Sequence, residues 1–160
     1  MNIGIIVYSK TGNTLQVAER IATALTQAGD HVDLKRFTAE MESAQSNRPA
    51  RLSALPDPND CDVLILGAPV QAFSLDPAMT MYLQQVAFKQ KVPTYCFITQ
   101  HFKKPWMGGN HAMKQLISQL RMKDIEAKSL GIVNWTSEQR ENQMTHIAEQ
   151  CKTALNGGMK

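Results

Sequence analysis

The sequence predicts an α/β protein in which helices cover both faces of a parallel β-sheet. Short apolar runs rich in β-branched residues, typical of strands buried on both faces, recur along the chain. Between them lie segments with apolar residues at three- and four-residue spacing, typical of amphipathic helices. Five such strands and four such helices alternate. Strict alternation favours parallel strands joined by crossover helices, the doubly wound arrangement.

The first part of the chain contains two predicted strands and one helix. Residues 3–8 predict a buried strand, residues 15–28 an amphipathic helix, and residues 31–37 a second strand at an edge of the sheet. Gly29 stands where a helix usually ends. Residues 38–60 break the periodicity with polar residues and a proline-rich turn cluster, so we expect a long loop there, with one short helix or none.

The second part repeats the alternation. Residues 62–67 predict a strongly buried strand, residues 91–99 another, and residues 125–135 contain the last. The Asp-Pro pair at 76–77 fits the N-cap and the first position of the helix that follows the third strand. Residues 136–139 fit a capping box that opens the final helix.

Length and composition exclude several classes of protein. The 160 residues are 43% hydrophobic and 19% charged, which suits a layered core in one domain spanning residues 1–160 and argues against a disordered chain. No apolar run approaches the roughly 18 residues of a membrane span, and the first residues do not fit a signal peptide. Three widely spaced cysteines and four scattered histidines indicate neither a disulfide framework nor a metal site. We therefore expect a cytoplasmic protein.

The positive charge is concentrated in the middle of the chain. Residues 77–123 contain seven bases and no Asp or Glu, whereas residues 1–76 have nine acids and six bases and residues 124–160 have five acids and four bases. No DNA- or RNA-binding motif accompanies these bases, so we do not expect a nucleic-acid partner. We expect instead that an acidic protein partner docks near this segment.

In doubly wound sheets, ligands bind at the carboxyl ends of the strands, so the loops that follow the strands form the candidate site. The first loop places hydroxyls, an amide and a glycine at residues 9–14, where the following helix exposes its free N–H groups. Backbone donors, the helix dipole and short hydroxyls together favour an anion. The loop matches neither the Walker pattern nor the dinucleotide-binding glycine pattern, and it predicts a phosphate site.

Two further loops offer aromatic side chains beside that site. The loop at 67–74 carries Phe73, which can present its ring to a planar ligand. The loop at 99–111 carries Phe102 and Trp106 and ends in a glycine pair before a helix. One phosphate loop with two aromatic loops fits a phosphorylated planar molecule.

These loops resemble those of the flavodoxin family. Residues 7–14, with the sequence Val-Tyr-Ser-Lys-Thr-Gly-Asn-Thr, resemble its phosphate loop, and residues 62–70 resemble its third strand and the Gly-x-Pro-Val turn that follows. Residues 97–109 are similar to its fourth strand and flavin loop. The resemblance covers nearly the whole chain. It implies a flavodoxin-like doubly wound sandwich of the short-chain form, with a five-stranded parallel sheet in the order 2-1-3-4-5.

The resemblance also implies noncovalent FMN and the residues that would bind it. The phosphate would lie on the first loop, formed by Ser9, Lys10, Thr11, Gly12, Asn13 and Thr14. The isoalloxazine would lie between two groups of residues, namely Pro69, Val70, Gln71, Ala72 and Phe73 on one side and Thr99, Gln100, His101, Phe102, Gly108 and Gly109 on the other. The chain departs from the family in two ways: Gln71 stands near where many members carry Trp or Tyr, and the surroundings of the flavin lack the usual acids.

Three functions remain open at this point. The first is an electron carrier that shuttles electrons between partner proteins through FMN, which family frequency favours. The second is an FMN-dependent NAD(P)H:quinone-type oxidoreductase, in which His101 or Lys103 would donate a proton or contact substrate. The basic pair Lys103 and Lys104 favours this second function, because positive charge stabilises a reduced, anionic flavin. The third is an interaction module without flavin, which the hydroxyl-rich first loop argues against.

Overall fold

The computed structural model describes residues 1–46, 48–102, 104 and 106–157. Along the chain the elements are β1 (Asn2–Tyr8), α1 (Asn13–Gln27), β2 (His31–Phe37), β3 (Ala39–Met41), β4 (Pro49–Leu52), β5 (Val63–Gln71), β6 (Ser74–Leu75), α2 (Pro77–Gln85), β7 (Thr94–Gln100), α3 (Gly109–Arg121), β8 (Ala127–Asn134) and α4 (Arg140–Gly157). The main sheet has the strand order β2-β1-β5-β7-β8, and every neighbouring pair in it is parallel. Counted along the chain, these five strands have the predicted order 2-1-3-4-5.

The sheet separates two apolar layers. Helices α2 and α3 pack on one face, and α1 and α4 pack on the other. Strand β7 is buried at every position, which explains why residues 95–98 at its centre form an unbroken apolar run rather than an alternating pattern. Within the described ranges, no helix combines the length and the apolar character that crossing a membrane requires.

The helix starts agree with the sequence in one case and differ in another. A side-chain oxygen of Asp76 accepts the N–H of Ala78 at 2.9 Å, so Asp76 caps α2 as predicted. Helix α4 begins only at Arg140, and the predicted capping box at 136–139 is wrong. Ser137 instead closes a local turn, because its hydroxyl accepts the N–H of Gln139 at 3.0 Å.

Residues 38–60 contain a β-hairpin, where we expected a loop with at most a short helix. Strands β3 and β4 pair in antiparallel fashion, and the exposed Glu40 and Arg51 form an ion pair across them at 2.6 Å. Leu52 is buried in the layer that contains α2. This contact holds the hairpin against the rest of the fold. The sequence did not predict the hairpin, because strands of three and four residues are too short to show an alternating pattern.

The third main strand is longer than predicted. We expected β5 to end at Gly67 and a loop to cover residues 67–74, but β5 continues to Gln71 and then turns back into β6. The two residues at this turn, Ala72 and Phe73, have φ angles of 51° and 63°. Such left-handed conformations usually require Gly or Asn, so the sequence carried no signal for this tight turn.

A close contact at the centre of the sheet explains why β5 needs a glycine. Gly67 and Phe97 are register partners on adjacent strands, and Phe97 is completely buried. A Cβ atom added at Gly67 would lie 2.2 Å from Cζ of the Phe97 ring. The ring therefore occupies the volume that any other residue at position 67 would fill.

We expect Gly67→Ala to lower the free energy of unfolding by about 1–3 kcal/mol, because the added methyl group forces the buried ring to move. Urea unfolding followed by circular dichroism measures this loss. Gly4→Ala is the matched control on β1, where an added Cβ would meet the Cys61 side chain at 3.3 Å and the loss should be smaller. The double variant Gly67→Ala/Phe97→Leu should lose less stability than the sum of the two single variants, because the smaller side chain leaves room for the added methyl group. Strictly additive losses would contradict the proposed clash.

Candidate functional site

A cavity of about 440 Å³ opens at the carboxyl edge of the sheet, where the ends of β1, β5, β7 and β8 converge. Eleven of the predicted residues line it, namely Ser9, Lys10, Thr11, Asn13, Thr14, Pro69, Val70, Gln71, Thr99, Gln100 and His101. Six do not, namely Gly12, Ala72, Phe73, Phe102, Gly108 and Gly109. Two lining residues, Asp76 and Trp135, were not predicted from the sequence.

The first loop is closed by a single buried hydroxyl. The Ser9 Oγ accepts the N–H groups of Gly12 and Leu15, each at 3.2 Å. Gly12 is the N-cap of α1 with a φ of 101°, a left-handed conformation that favours glycine. Gly12 therefore shapes the loop without lining the cavity.

The remaining backbone donors of this loop belong to residues that line the cavity. Among the described residues, the N–H groups of Thr11, Asn13 and Thr14 have no hydrogen-bond partner. The Thr14 hydroxyl pairs with that of Thr99 at 2.8 Å, and both residues are buried. Free N–H groups at a helix N-terminus form a site for an anion.

Arg36 holds the loop from the neighbouring strand, a role that the sequence did not reveal. Its Nε donates to the Ser9 carbonyl at 2.8 Å, and its Nη2 donates to the Lys10 carbonyl at 3.2 Å. In a trans peptide the N–H points opposite to the carbonyl, so these bonds turn the N–H groups of Lys10 and Thr11 away from Arg36. The brace thus fixes the orientation of the Thr11 N–H and of one further donor, the Lys10 N–H.

One wall of the cavity carries a buried carboxylate. Asp76 is 5% exposed, and burial raises the pKa of its carboxyl, although the nearby Lys10 ammonium opposes this. The neighbouring Tyr8 hydroxyl is buried and has no partner among the described residues. Burial and the negative charge of Asp76 raise the pKa of Tyr8 to about 12, so this hydroxyl remains neutral.

The loop after β7 is pinned by the amide of Gln100. Its Nε2 donates to the carbonyls of Phe102 and Lys104 and to Oδ1 of Asn134. A Cβ atom at Gly109 would lie 2.8 Å from Oε1 of Gln100, so Gly109 permits this close packing. Gln100 therefore organises the loop as well as lining the cavity.

Phe73 and Phe102 form an aromatic rim outside the cavity lining, and Trp106 lies in the same loop as Phe102. The rings of Phe73 and Phe102 stack on each other, with centroids 5.2 Å apart and planes 5° apart. Phe73 is 55% exposed and Trp106 is 72% exposed. A Cβ atom at Gly108 would lie 2.8 Å from the Phe73 Cα, so this glycine lets the two aromatic loops touch.

Trp135 supplies an aromatic group in the lining itself. Its backbone N–H donates to the Gln100 carbonyl at 2.8 Å, which fixes it beside the β7 loop. The Arg140 guanidinium lies 4.8 Å from the centroid of the Trp135 ring and donates to its carbonyl at 3.2 Å. Trp135 directly follows β8, at the end of the segment 125–135 in which we predicted the last strand and no site residue.

The bases of residues 77–123 do not form one surface at the cavity. Lys89 and Lys91 precede β7, and Arg121 and Lys123 end α3 or follow it, so these four lie at the opposite edge of the sheet. Lys123 contacts the Phe88 ring there, at 5.9 Å from its centroid. Lys104 lies in the loop after β7, and Lys103 lies outside the described residues.

Comparison with known proteins finds structural similarity. No family model matches the sequence, and no curated protein matches it. The fold is similar to a flavodoxin from Streptococcus pneumonia TIGR4, with a TM-score of 0.66, 15% identity and coverage of 96% of this chain and 99% of the other. It is also similar to an azoreductase from Bacillus anthracis str. Sterne (TM-score 0.60, 10% identity, coverage 96% and 99%). A flavoprotein from Lactobacillus acidophilus NCFM, solved in complex with FMN, gives a TM-score of 0.55 at 15% identity, with coverage of 88% and 95%. These likenesses confirm the fold that the sequence predicted: the chain has the fold of the flavodoxins.

Proposed function

We propose that this chain is a flavodoxin-like redox protein that binds FMN noncovalently and transfers electrons between partner proteins. The observation that carries the proposal is the first loop. It offers free N–H groups of Thr11, Asn13 and Thr14 at the start of α1, and Lys10 stands beside them. Structurally similar proteins include flavodoxins and a flavoprotein that binds FMN.

The donor set fits a phosphate group. The loop at residues 9–14 contains hydroxyls, an amide and a lysine and no carboxylate, so every side chain in it can donate to a phosphate oxygen. Arg36 adds a second cation behind the loop. We propose that all six residues of this loop hold the phosphate, with Gly12 acting through the backbone.

The rest of the cavity suits the ring and the chain that joins it to the phosphate. We propose that Pro69, Val70 and Gln71 face one side of the isoalloxazine and that Thr99, Gln100 and His101 face the other, with Trp135 contributing an aromatic edge or face. Ala72, Phe73, Phe102, Gly108 and Gly109 would act at the mouth, where they shape the aromatic rim. Bound FMN supplies the electron chemistry, and these residues bind it, orient it and exclude water.

We expect a partner protein to approach this mouth, because helices cover both faces of the sheet and the cavity opens at its carboxyl edge. Of the basic segment, Lys104 lies in a loop at the mouth, whereas four bases lie at the opposite edge of the sheet. Docking of an acidic partner stays a prediction, and it concerns the loop of Lys104 rather than the whole segment.

A substitution in the first loop tests the phosphate assignment. We expect the protein to bind FMN more tightly than riboflavin, as measured by quenching of flavin fluorescence. Asn13→Asp should lower FMN affinity by about tenfold or more and leave riboflavin affinity nearly unchanged, because the new carboxylate repels only the phosphate. An Asp in the first turn of a helix is favourable, so folding should not suffer.

The control for that experiment is Asn142→Asp, the same change in the first turn of α4, where the side chain is exposed and outside the cavity lining. Equal affinities for FMN and riboflavin, or equal losses of both in Asn13→Asp, would refute the phosphate site. If neither flavin binds the unmodified protein, the interaction module without flavin replaces the present proposal.

The brace of Arg36 generates a second prediction. Arg36→Gln should lower FMN affinity by about tenfold, because the Ser9 and Lys10 carbonyls lose their charge-assisted hydrogen bonds and the loop donors lose their orientation. Lys35→Gln is the matched control, since this neighbour on β2 is exposed and forms an ion pair with Asp33 at 3.4 Å rather than with the loop. Similar losses in both variants would show that net charge, and not the brace, determines affinity.

The aromatic rim favours a second candidate function, an FMN-dependent NAD(P)H:quinone-type oxidoreductase. Phe73 and Phe102 place two stacked, exposed rings next to residues that line the open cavity, which suits a small planar acceptor. His101 is exposed and lines the cavity, where it could contact such a substrate. An azoreductase is among the structurally similar proteins.

Stepwise reduction of the FMN-loaded protein distinguishes an electron carrier from an oxidoreductase. For a carrier we expect a long-wavelength absorbance band to accumulate at half reduction in an anaerobic dithionite titration of the FMN-loaded protein, because electrons enter one at a time. An oxidoreductase would pass to full reduction without that band and would oxidise NADH or NADPH with a quinone present. Rapid quinone-dependent turnover without the band would overturn the carrier assignment.

A further inference from the structure

Asp76 is the one acidic residue among the described residues that line the cavity. Its position is fixed twice over: its N–H donates to the Pro69 carbonyl at 3.1 Å, and its Oδ1 accepts the Ala78 N–H at 2.9 Å. The second oxygen, Oδ2, has no hydrogen-bond partner among the described residues. Helix capping thus accounts for Oδ1, and Oδ2 is available to accept another hydrogen bond.

A carboxylate oxygen in this position lacks the solvation that it would have on the surface. Asp76 is 5% exposed, and the Lys10 side chain, whose charge lowers the pKa of this carboxyl, is itself exposed to solvent. Unlike the Tyr8 hydroxyl nearby, which is fully enclosed and unpartnered among the described residues, Oδ2 of Asp76 is not fully enclosed. Because Asp76 lines the cavity, a ligand there can supply the hydrogen bond that the described residues do not.

The place of Asp76 along the cavity limits what that partner can be. The Asp76 N–H is hydrogen-bonded to Pro69, near the end of β5, whereas the phosphate loop follows the adjacent strand β1. A phosphate here would meet a negative charge, and an apolar ring edge would leave the carboxylate without a donor. A hydroxyl group satisfies it, since it donates a hydrogen bond without adding charge.

We propose that Asp76 recognises the polyol chain of the ligand, with its free oxygen accepting a hydrogen bond from a hydroxyl between the phosphate and the ring. This inference rests on the proposed function, because it assumes a flavin whose ribityl chain crosses the wall at Asp76. It assigns to Asp76 a specificity for the chain that is separate from the recognition of phosphate by the first loop.

Three flavins distinguish the contributions of the phosphate, the ribityl chain and the ring to binding affinity. FMN has phosphate, chain and ring, riboflavin lacks the phosphate, and lumiflavin lacks the chain as well. Asp76→Ser keeps an N-cap for α2, because a serine hydroxyl also accepts the Ala78 N–H, and it removes the carboxylate. We expect it to weaken FMN and riboflavin by the same factor, about tenfold or more, and to change lumiflavin affinity by less than about twofold.

Two further variants complete the experiment. Asp76→Asn keeps the shape and the cap and should give a smaller loss for FMN and riboflavin, since an amide still bonds to a hydroxyl; it also carries the test if Asp76→Ser does not fold. Asp33→Ser, at an exposed position on β2, should leave all three affinities unchanged. Thermal unfolding of each variant without flavin shows whether the fold is intact.

Several results would overturn the inference. Tighter FMN binding with unchanged riboflavin in the Asp76 variants would mean that Asp76 faces the phosphate. Equal losses for all three flavins would mean a structural role, and no loss would mean no contact. Failure of the unmodified protein to bind any of the three would instead refute the proposed function itself, so the two failures are distinguishable.

Discussion

Burial of the central strands on both faces is the constraint on which the rest of this structure depends. Strand β7 is buried throughout, and at Gly67 the Phe97 ring packs directly against backbone. With helices packed on both faces, a ligand cannot reach the sheet from above or below. It can enter only at an edge, and the carboxyl edge is where the helices that follow β1 and β7 begin. The location of the cavity therefore follows from the packing.

The parts of the fold that could be predicted are those in which local pattern and tertiary structure agree. The apolar runs at 3–8 and 62–67 and the stripe at 15–28 each extend over enough residues for their period to be recognised. The order of the strands came from the resemblance to a family rather than from periodicity. The hairpin in 38–60 could not be predicted because its strands have only three and four residues, and the tight turn at Ala72 could not because it lacks the Gly or Asn that usually marks such turns.

The candidate site divides in the same way. The first loop is one continuous segment, so its donors could be recognised from residues 9–14 alone. Arg36, Asp76 and Trp135 come from other segments, and their roles depend on how strands and helices are placed. Arg36 stands opposite Val7 in the parallel register of β1 and β2, which brings it beside Ser9 although 27 residues separate them. Only the register reveals such a contact.

The charged and polar groups are distributed unevenly along the cavity, so its two ends differ. Backbone donors, Lys10 and Arg36 surround one end, the carboxylate of Asp76 lies on the wall, and aromatic rings lie at the mouth. A phosphate about 5 Å from a carboxylate, at an effective dielectric constant of about 20, would be destabilised by roughly 3 kcal/mol per charge. A ligand with one phosphate and one ring can therefore bind in only one orientation, with its ring toward the mouth. At that mouth the stacked rings of Phe73 and Phe102 lie beside the exposed loop of Lys104, so a partner or substrate would meet apolar surface and positive charge together.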